Sequence, residues 1–316
     1  MLGFLLALAI AFVASLLGAL VPVAGAPVFA ILIGAIVASV WKLDARFRPG
    51  AAFAGKQLLQ ASIVLLGAHL SLREIASGGL ATLPVMLVSF VVVLAVAYVL
   101  GARLGLDRDL RRLLGIGTAI CGGSAIAALS SVIDADASDV SYALGTVFLF
   151  NVVAVLVFPP LGHLMQLGQH AFGVWAGTAI NDTSSVVAAG FAYGPDAGST
   201  AVIVKLTRTT LIVPIVVFYA VRRAAGGSWL ATMPWFILWF LGAALLNSLG
   251  LIPAPVQGPL QQLALFSIVV ALAGVGLGTD VERIRSAGWR PLALGAVLWA
   301  VIALVSLAML GYRPWS

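Results

Sequence analysis

The stretch GTAINDTSS at residues 177–185 puts five consecutive polar residues, Asn181 to Ser185, in the middle of an apolar segment that runs from 171 to 191. Glycine and small polar residues form α-helix less readily than alanine or leucine. Backbone that leaves the helix at membrane depth is tolerated only where it is buried in protein or lines a cavity. The stretch therefore predicts a helix that is interrupted inside a membrane.

A second copy of this pattern lies 60 residues earlier, where residues 117–124 read GTAICGGS. The two copies share GTAI and an aligned serine. Interrupted helices expose half-helix N-termini, whose free N–H groups and positive dipole end suit anions. Close helix packing through small residues is the alternative interpretation. The candidate substrate-binding residues of the two stretches are Cys121, Gly122, Gly123, Ser124, Asn181, Asp182, Thr183, Ser184 and Ser185.

The composition of the chain indicates a protein that is solvated by lipid. Of its 316 residues 62% are hydrophobic and 9% are charged, whereas soluble domains carry about 25% charged residues. The net charge of +6 resides mostly in short loops, where it sets topology, so we expect no nucleic-acid partner. The single cysteine excludes an intramolecular disulfide, and the three scattered histidines form no metal motif. We therefore expect neither a metal nor a cofactor, and no enzyme activity.

Apolar stretches between turn signals predict one all-α transmembrane domain over residues 1–316, with about eleven membrane-spanning helices. Because no Lys or Arg precedes the first stretch, we expect it to be retained rather than cleaved as a signal peptide. The predicted helices are 2–20, 27–41, 55–72, 80–102, 113–132, 139–160, 171–191, 199–221, 229–250, 258–278 and 290–311.

The distribution of basic residues predicts the orientation. If all eleven segments cross, 13 of the 17 Lys and Arg residues fall on one side, and only Arg73 and Arg313 fall on the other. The acidic 134–139 loop would lie on the same side as Arg73 and Arg313. The positive-inside rule then places the N-terminus in the cytoplasm and the C-terminus outside the inner (plasma) membrane. The 13 residues are Lys42, Arg46, Arg48, Lys56, Arg103, Arg108, Arg111, Arg112, Arg222, Arg223, Arg283, Arg285 and Arg290.

Internal repeats are typical of transporters. Residues 58–72 recur loosely as 263–277, in helices that would cross in opposite directions as an inverted repeat requires. The two GTAI segments, 113–132 and 171–191, would instead run parallel. Either one of these segments re-enters the membrane, or the match reflects similar local function.

Two cations lie inside the segment 199–221. Lys205 and Arg208 are three residues apart and share one helix face, and each costs about 2.5–3.5 kcal/mol at mid-bilayer. We expect Lys205 and Arg208 to belong to the substrate-binding residues, with Asp182 as their partner. The local charge of +1 that remains favours an anionic substrate. A purely structural ion pair is the alternative.

The stretches 120–133 (ICGGSAIAALSSVI), 177–190 (GTAINDTSSVVAAG) and 204–215 (VKLTRTTLIVPI) resemble the YeiH-type sulfate exporter family, over nearly the whole chain. The resemblance implies a scaffold related to bile-acid and sodium–proton carriers, with two crossing discontinuous helices. It also makes the helix that ends in AGVGLG, residues 273–278, a rival to 171–191 for the second crossing helix.

These observations predict a secondary active transporter of a small anion, sulfate or a sulfonate first, that works by alternating access in the bilayer. An anion channel, or a cation- or proton-coupled carrier of another organic acid, is the alternative. The coupling ion, H⁺ or Na⁺, and assembly as a homodimer are left open, as is the direction of transport.

Overall fold

The computed structural model describes residues 1–20, 25–41, 44–211, 218, 236–278 and 288–311. Within these ranges the chain is helical and contains no strand. Several residues of the orientation argument lie outside the described residues, namely Lys42, Arg222, Arg223, Arg283, Arg285 and Arg313.

The helices number fourteen across the described ranges. A π-helical turn, Ala54–Leu58, joins α3 to α4 without a break. In chain order they are α1 (Leu2–Leu20), α2 (Gly25–Trp41), α3 (Arg48–Phe53), α4 (Leu59–Gly67), α5 (Leu72–Arg103), α6 (Arg108–Ala119), α7 (Gly123–Ile133), α8 (Ala137–Leu164), α9 (Gln169–Ala179), α10 (Thr183–Tyr193), α11 (Pro195–Thr209), α12 (Phe236–Ser248), α13 (Ala254–Leu277) and α14 (Trp289–Gly311).

Five of the described helices, α1, α5, α8, α13 and α14, are long and apolar enough to cross a membrane. Two shorter apolar helices, α2 and α12, accompany them. At 1.5 Å per residue, the 28 residues of α8 extend about 42 Å, more than the roughly 30 Å of a hydrocarbon core. These lengths fit a polytopic membrane protein.

The first GTAI segment is not the single span that the sequence predicts for 113–132. It forms two short helices, α6 and α7, that fold back on each other, and we call α6–α7 the first hairpin. A Cβ added at Gly117 in α6 would lie 2.8 Å from Cδ1 of Ile126 in α7, although nine residues of straight helix would separate them by about 13 Å. Ile133, at the end of α7, lines the same cavity as Arg108 at the start of α6.

The second GTAI segment, predicted as one span over 171–191, is likewise a pair of antiparallel helices. We call α9–α10 the second hairpin. The rings of Phe172 and Tyr193 stack with centroids 3.8 Å apart, so the start of α9 meets the end of α10. The side-chain oxygen of Gln169 accepts hydrogen bonds from the backbone N–H groups of Asp196 (3.0 Å) and Ala197 (3.3 Å).

The two hairpins enter the bundle from opposite ends. We call the end that carries Arg103, Arg108, Arg111, Arg112 and Arg290 the arginine face, and the end that carries Glu74, His170 and Asp196 the opposite face. The first hairpin begins and ends at the arginine face, where Leu110, Asp139 and Arg290 line one cavity. The second begins and ends at the opposite face, where Glu74, His170 and Asp196 line another. The helix α8 connects the two faces.

The reversal of the first segment changes which face its neighbouring loop occupies. Asp139 lies beside Arg290 at the arginine face, so the expectation that the 134–139 loop lies opposite the basic loops is wrong. The physical reason is local: Gly122 has φ +67° and ψ −124°, a conformation that only glycine adopts readily. This turn sends the chain back toward the face from which it came.

The rival for the second interrupted helix is excluded, because α13 continues unbroken to Leu277. Instead, α13 packs closely on α2 and α3 through small residues. A Cβ on Gly34 would lie 2.6 Å from the carbonyl oxygen of Ala273, and one on Gly274 would lie 2.8 Å from the carbonyl oxygen of Ala51. Backbones in lipid associate through such contacts.

Two hydrophobic cores hold the helices together. The first contains the hairpins with α5, α8 and α14. The second contains α1 to α4 with α12 and α13. The helices α10 and α11 contribute to both, since Val186 and Val204 pack in the first core while Val187 and Val202 pack in the second. The second hairpin therefore lies between the two groups of helices.

Candidate functional site

The tips of the two hairpins meet in the interior of the bundle, and we call this meeting point the crossing. A Cβ added at Gly122 would lie 3.6 Å from Cβ of Asn181 and 3.2 Å from Cγ1 of Val147, which belongs to the middle of α8. Each hairpin helix has 11 or 12 residues, about 17 Å, or half a bilayer. The GTAI stretches therefore lie at mid-membrane depth, one from each face.

Two fully buried cations of α11 cap the C-terminal ends of the entering helices, α6 and α9. The ammonium of Lys205 donates to the carbonyl oxygens of Ile120 (3.0 Å) and Ile180 (2.8 Å). Lys205 and Arg208 are 0% and 1% exposed. Because the last carbonyls of a helix lack intrahelical partners and carry its negative dipole end, a cation here stabilises both hairpins at once.

Arg208 completes this cap. Its Nε donates to the carbonyl oxygen of Ala119 at 2.8 Å, and its two Nη atoms donate to the carbonyl oxygens of Thr118 and Thr178. One guanidinium therefore bonds both hairpins, which its planar fork of five donors allows. The sequence expectation that Asp182 pairs with these cations is wrong, because their hydrogen bonds go to backbone carbonyls and the Asp182 carboxylate bonds the N-terminus of α10.

Asp182 instead caps the N-terminus of α10. One of its carboxylate oxygens accepts from the backbone N–H groups of Ser184 (2.9 Å) and Ser185 (3.4 Å) and from the Ser184 hydroxyl. An aspartate is among the preferred N-cap residues. Its negative charge also complements the positive end of the helix dipole.

Asn151 of α8 adds a second cap to the same terminus. Its side-chain oxygen accepts from the backbone N–H groups of Asn181 (3.2 Å) and Asp182 (3.1 Å). Asn151 is 4% exposed. Sequence reasoning gives little reason to single it out, since a lone asparagine in an apolar helix carries no sign of what it faces.

The N-terminus of α7 differs. Its cap position is Gly122, which offers no side chain. The thiol sulfur of the preceding Cys121, a weak acceptor, interacts with the backbone N–H group of Ala125 in the first turn of α7. A Cβ on the next residue, Gly123, would meet only Leu144, at 3.4 Å. The side chain of Ser124 lies outside the described residues. Among the described side chains, no carboxylate or amide oxygen accepts from the N-terminus of α7, whereas Asp182 and Asn151 supply such oxygens at α10.

The remaining predicted site residues surround the crossing. Cys121 is buried at the first tip, and Thr183 begins α10 beside its capping aspartate. The side-chain oxygens of Thr178 and Asn181 are buried and have no hydrogen-bond partner within the described chain. The described residues contain no group of His, Cys, Asp or Glu that could hold a metal ion.

Comparison with known proteins assigns the chain to a family. A family model described as "Conserved hypothetical protein 698" matches residues 2–295. The chain belongs to the UPF0324 family of membrane proteins. This confirms the resemblance seen in the sequence, since the YeiH-type proteins are the same family.

Members of the family from Streptococcus and Fusobacterium align over almost the whole chain. A UPF0324 membrane protein of Streptococcus agalactiae serotype V is 40% identical over 97% of this chain and 96% of its own length. One of Streptococcus pyogenes serotype M6 is 41% identical, over 97% and 95%, and one of Fusobacterium nucleatum is 35% identical, over 97% and 96%. This chain is thus a full-length match to a family of membrane proteins.

Proposed function

We propose that the protein is a secondary active transporter of a small anion, with sulfate or a sulfonate as the first candidates. The observation that carries the proposal is the contrast between the capped N-terminus of α10 and the uncapped N-terminus of α7 at the same crossing. An anion would take at α7 the place that the Asp182 carboxylate takes at α10.

The charge of the crossing supports an anion. Lys205 and Arg208 contribute +2 and Asp182 contributes −1, so the three side chains carry a net +1. The two helix C-termini and two helix N-termini contribute opposite partial charges that offset one another. A monovalent anion would balance this surplus in a region of low dielectric, where uncompensated charge is costly. A divalent anion would change the net charge from +1 to −1.

The arrangement also suits alternating access. Each hairpin reaches the crossing from one face, and the first core with the hairpins packs against a second group of helices. Relative movement of the two groups could expose the crossing to one face and then to the other, as in transporters built from repeats of opposite orientation. We infer that α5–α7 and α8–α10 are such repeats, each a long helix followed by a hairpin.

The proposed topology has nine membrane-spanning segments and two re-entrant hairpins, which together account for the eleven apolar segments. Described arginines concentrate at the arginine face, whereas Arg73 precedes Glu74 near the opposite face. The positive-inside rule then puts the arginine face and the N-terminus in the cytoplasm of a bacterial inner membrane, with the C-terminus outside. The coupling ion, H⁺ or Na⁺, and assembly as a homodimer stay predictions.

The anion site can be tested by a charge placed at α7. Gly123→Asp adds a carboxylate where a Cβ has room, and Gly123→Asn adds a neutral side chain of the same size. We expect sulfate to raise the thermal stability of the parent and of the Asn variant, and not that of the Asp variant. Equal responses from the Asp variant and the parent would rule out anion binding at this terminus.

Reconstituted liposomes separate transport from other activities. A carrier gives a saturable sulfate or sulfonate flux that depends on a counter-ion gradient, whereas a channel gives a flux that rises without saturation. An enzyme or a purely structural protein gives no flux. The Gly123→Asp variant should lose flux while Gly123→Asn retains it.

A further inference from the structure

A groove at the arginine face lies apart from the hairpin crossing. It encloses about 650 Å³ between α5, α6 and the end of α7. Its mouth carries three arginines of α6: Arg108, Arg111 and Arg112. Its floor is apolar, with Leu94, Ala97, Ile116 and Ile133. The groove thus combines positive charge at the end of the bundle with an apolar wall that runs inward.

The apolar wall continues onto the surface of α5 that faces outward. Val91, Tyr98 and Val99 are 63%, 65% and 51% exposed, and Ala95 and Tyr98 line the groove itself. Exposed aliphatic residues on a membrane-spanning helix face lipid. On the α5 side, the described residues leave the groove facing the acyl chains of the bilayer, and Phe218 also lines it. A tyrosine near the membrane interface is typical of such positions.

The arginines are only partly neutralised by the protein. Arg112 forms an ion pair with Asp109 at 2.8 Å. Arg111 lies over the ring of Tyr98, with its guanidinium carbon 5.6 Å from the ring centroid. Within the described chain, the exposed Arg108 has no hydrogen-bond or ion-pair partner. Two guanidinium groups in the mouth thus have no carboxylate partner in the described part of the chain.

We propose that this groove binds an anionic phospholipid of the leaflet at the arginine face. The phosphate group lies among Arg108, Arg111 and Arg112, because guanidinium forks bind phosphate oxygens in pairs. One acyl chain lies along Leu94, Ala95 and Tyr98. A free inorganic anion would satisfy the arginines but would leave the apolar wall uncovered, so the groove favours a lipid over a soluble phosphate.

The experiment measures thermal stability of delipidated protein in detergent. Phosphatidylglycerol, phosphatidylcholine and inorganic phosphate are added separately. We expect phosphatidylglycerol to stabilise the parent more than either of the others. Arg108→Gln, which breaks no contact with another described side chain, should weaken phosphatidylglycerol binding about fivefold, the effect of about one charge near a membrane surface.

The matched control is Arg48→Gln, which removes an exposed arginine at the start of α3, away from the groove. It should bind phosphatidylglycerol as the parent does, and Arg108→Gln combined with Arg112→Gln should bind it more weakly than Arg108→Gln alone. Equal stabilisation by inorganic phosphate and phosphatidylglycerol would overturn the lipid assignment. So would unchanged phosphatidylglycerol binding by the double variant. Sulfate binding at α7 is measured separately, so either proposal can fail alone.

Discussion

The two hairpins share a sequence pattern and a fold but differ in how their second helices begin. In the second hairpin, Asp182 and Asn151 accept the free N–H groups of α10. In the first, the aligned position is Gly122, which has positive φ and no side chain. Their C-terminal ends, in contrast, share the same two cations. The difference teaches that the duplicated scaffold has carboxylate and amide caps in one copy only, and the proposed anion site rests on the copy that lacks them.

The largest expected effect is a change in which side of the membrane the hairpin loops can be labelled from. In a background without Cys121, single cysteines are placed at Asp136, at Met165 and, as a reference, at Arg48. Helix runs without a break from Arg48 to Gly67, close to Leu70 at the opposite face, so Arg48 lies at the arginine face. The hairpin topology predicts that Asp136→Cys reacts with a membrane-impermeant thiol reagent from the same side as Arg48→Cys, and Met165→Cys from the other side. Two full spans predict the reverse for both loops.

The next largest effect concerns the shared cap. Arg208→Ala removes the donors of the Thr118, Ala119 and Thr178 carbonyls. Because each buried unsatisfied group costs about 1–3 kcal/mol, unfolding in SDS should become easier by about 3 kcal/mol or more. Arg208→Lys keeps the positive charge but not the planar set of donors, so its stability should lie between those of the parent and Arg208→Ala. Arg48→Ala serves as the exposed control, and an Arg208→Ala protein as stable as that control would contradict the cap.

The smallest effect should come from the cap that only the second hairpin has. Asp182→Ala removes the acceptor for Ser184 and Ser185, which should cost about 1 kcal/mol. Asp196→Ala, at an exposed position in the first turn of α11, is the matched control and should cost less. Because the variant raises the surplus charge at the crossing, sulfate should bind at least as tightly as to the parent. Weaker sulfate binding by Asp182→Ala would contradict an anion site that the surplus positive charge stabilises.

The sequence predicted the apolar segments and the two interruptions, and it raised re-entry of one segment as an alternative, but it did not predict that the chain turns back at both. The positive-inside argument cannot detect this difference, because no Lys or Arg lies between Arg112 and Lys205. Relative to the eleven-span topology, α8 runs in the opposite direction through the membrane. This changes the side only of the acidic 134–139 loop and the uncharged 164–169 linker. Since two segments re-enter, the parity of the count is unchanged, and every basic loop keeps its side.

The candidate site was predicted in composition but not in its bonding. Mid-span Lys205 and Arg208 were identifiable, because charge inside an apolar segment is rare. Their partners are backbone carbonyls, which every residue has, so no sequence pattern could single out Ile120 or Thr178. Asn151 was hard to rank for the same reason, since it caps backbone N–H groups 30 residues away.

The bonds of Lys205 and Arg208 also bear on how the molecule can move. Each cation bonds backbone of both hairpins, so the two tips are fastened to each other and to α11 as one rigid piece. The face that α10 and α11 turn toward the other group of helices consists of short aliphatic side chains such as Val187, Ala188, Ala192 and Val202. Such a surface has few directional bonds to break when packed helices shear past one another. We therefore expect the two hairpins and the crossing to move together as one body. The sliding surface between the two groups of helices should then lie along this aliphatic face.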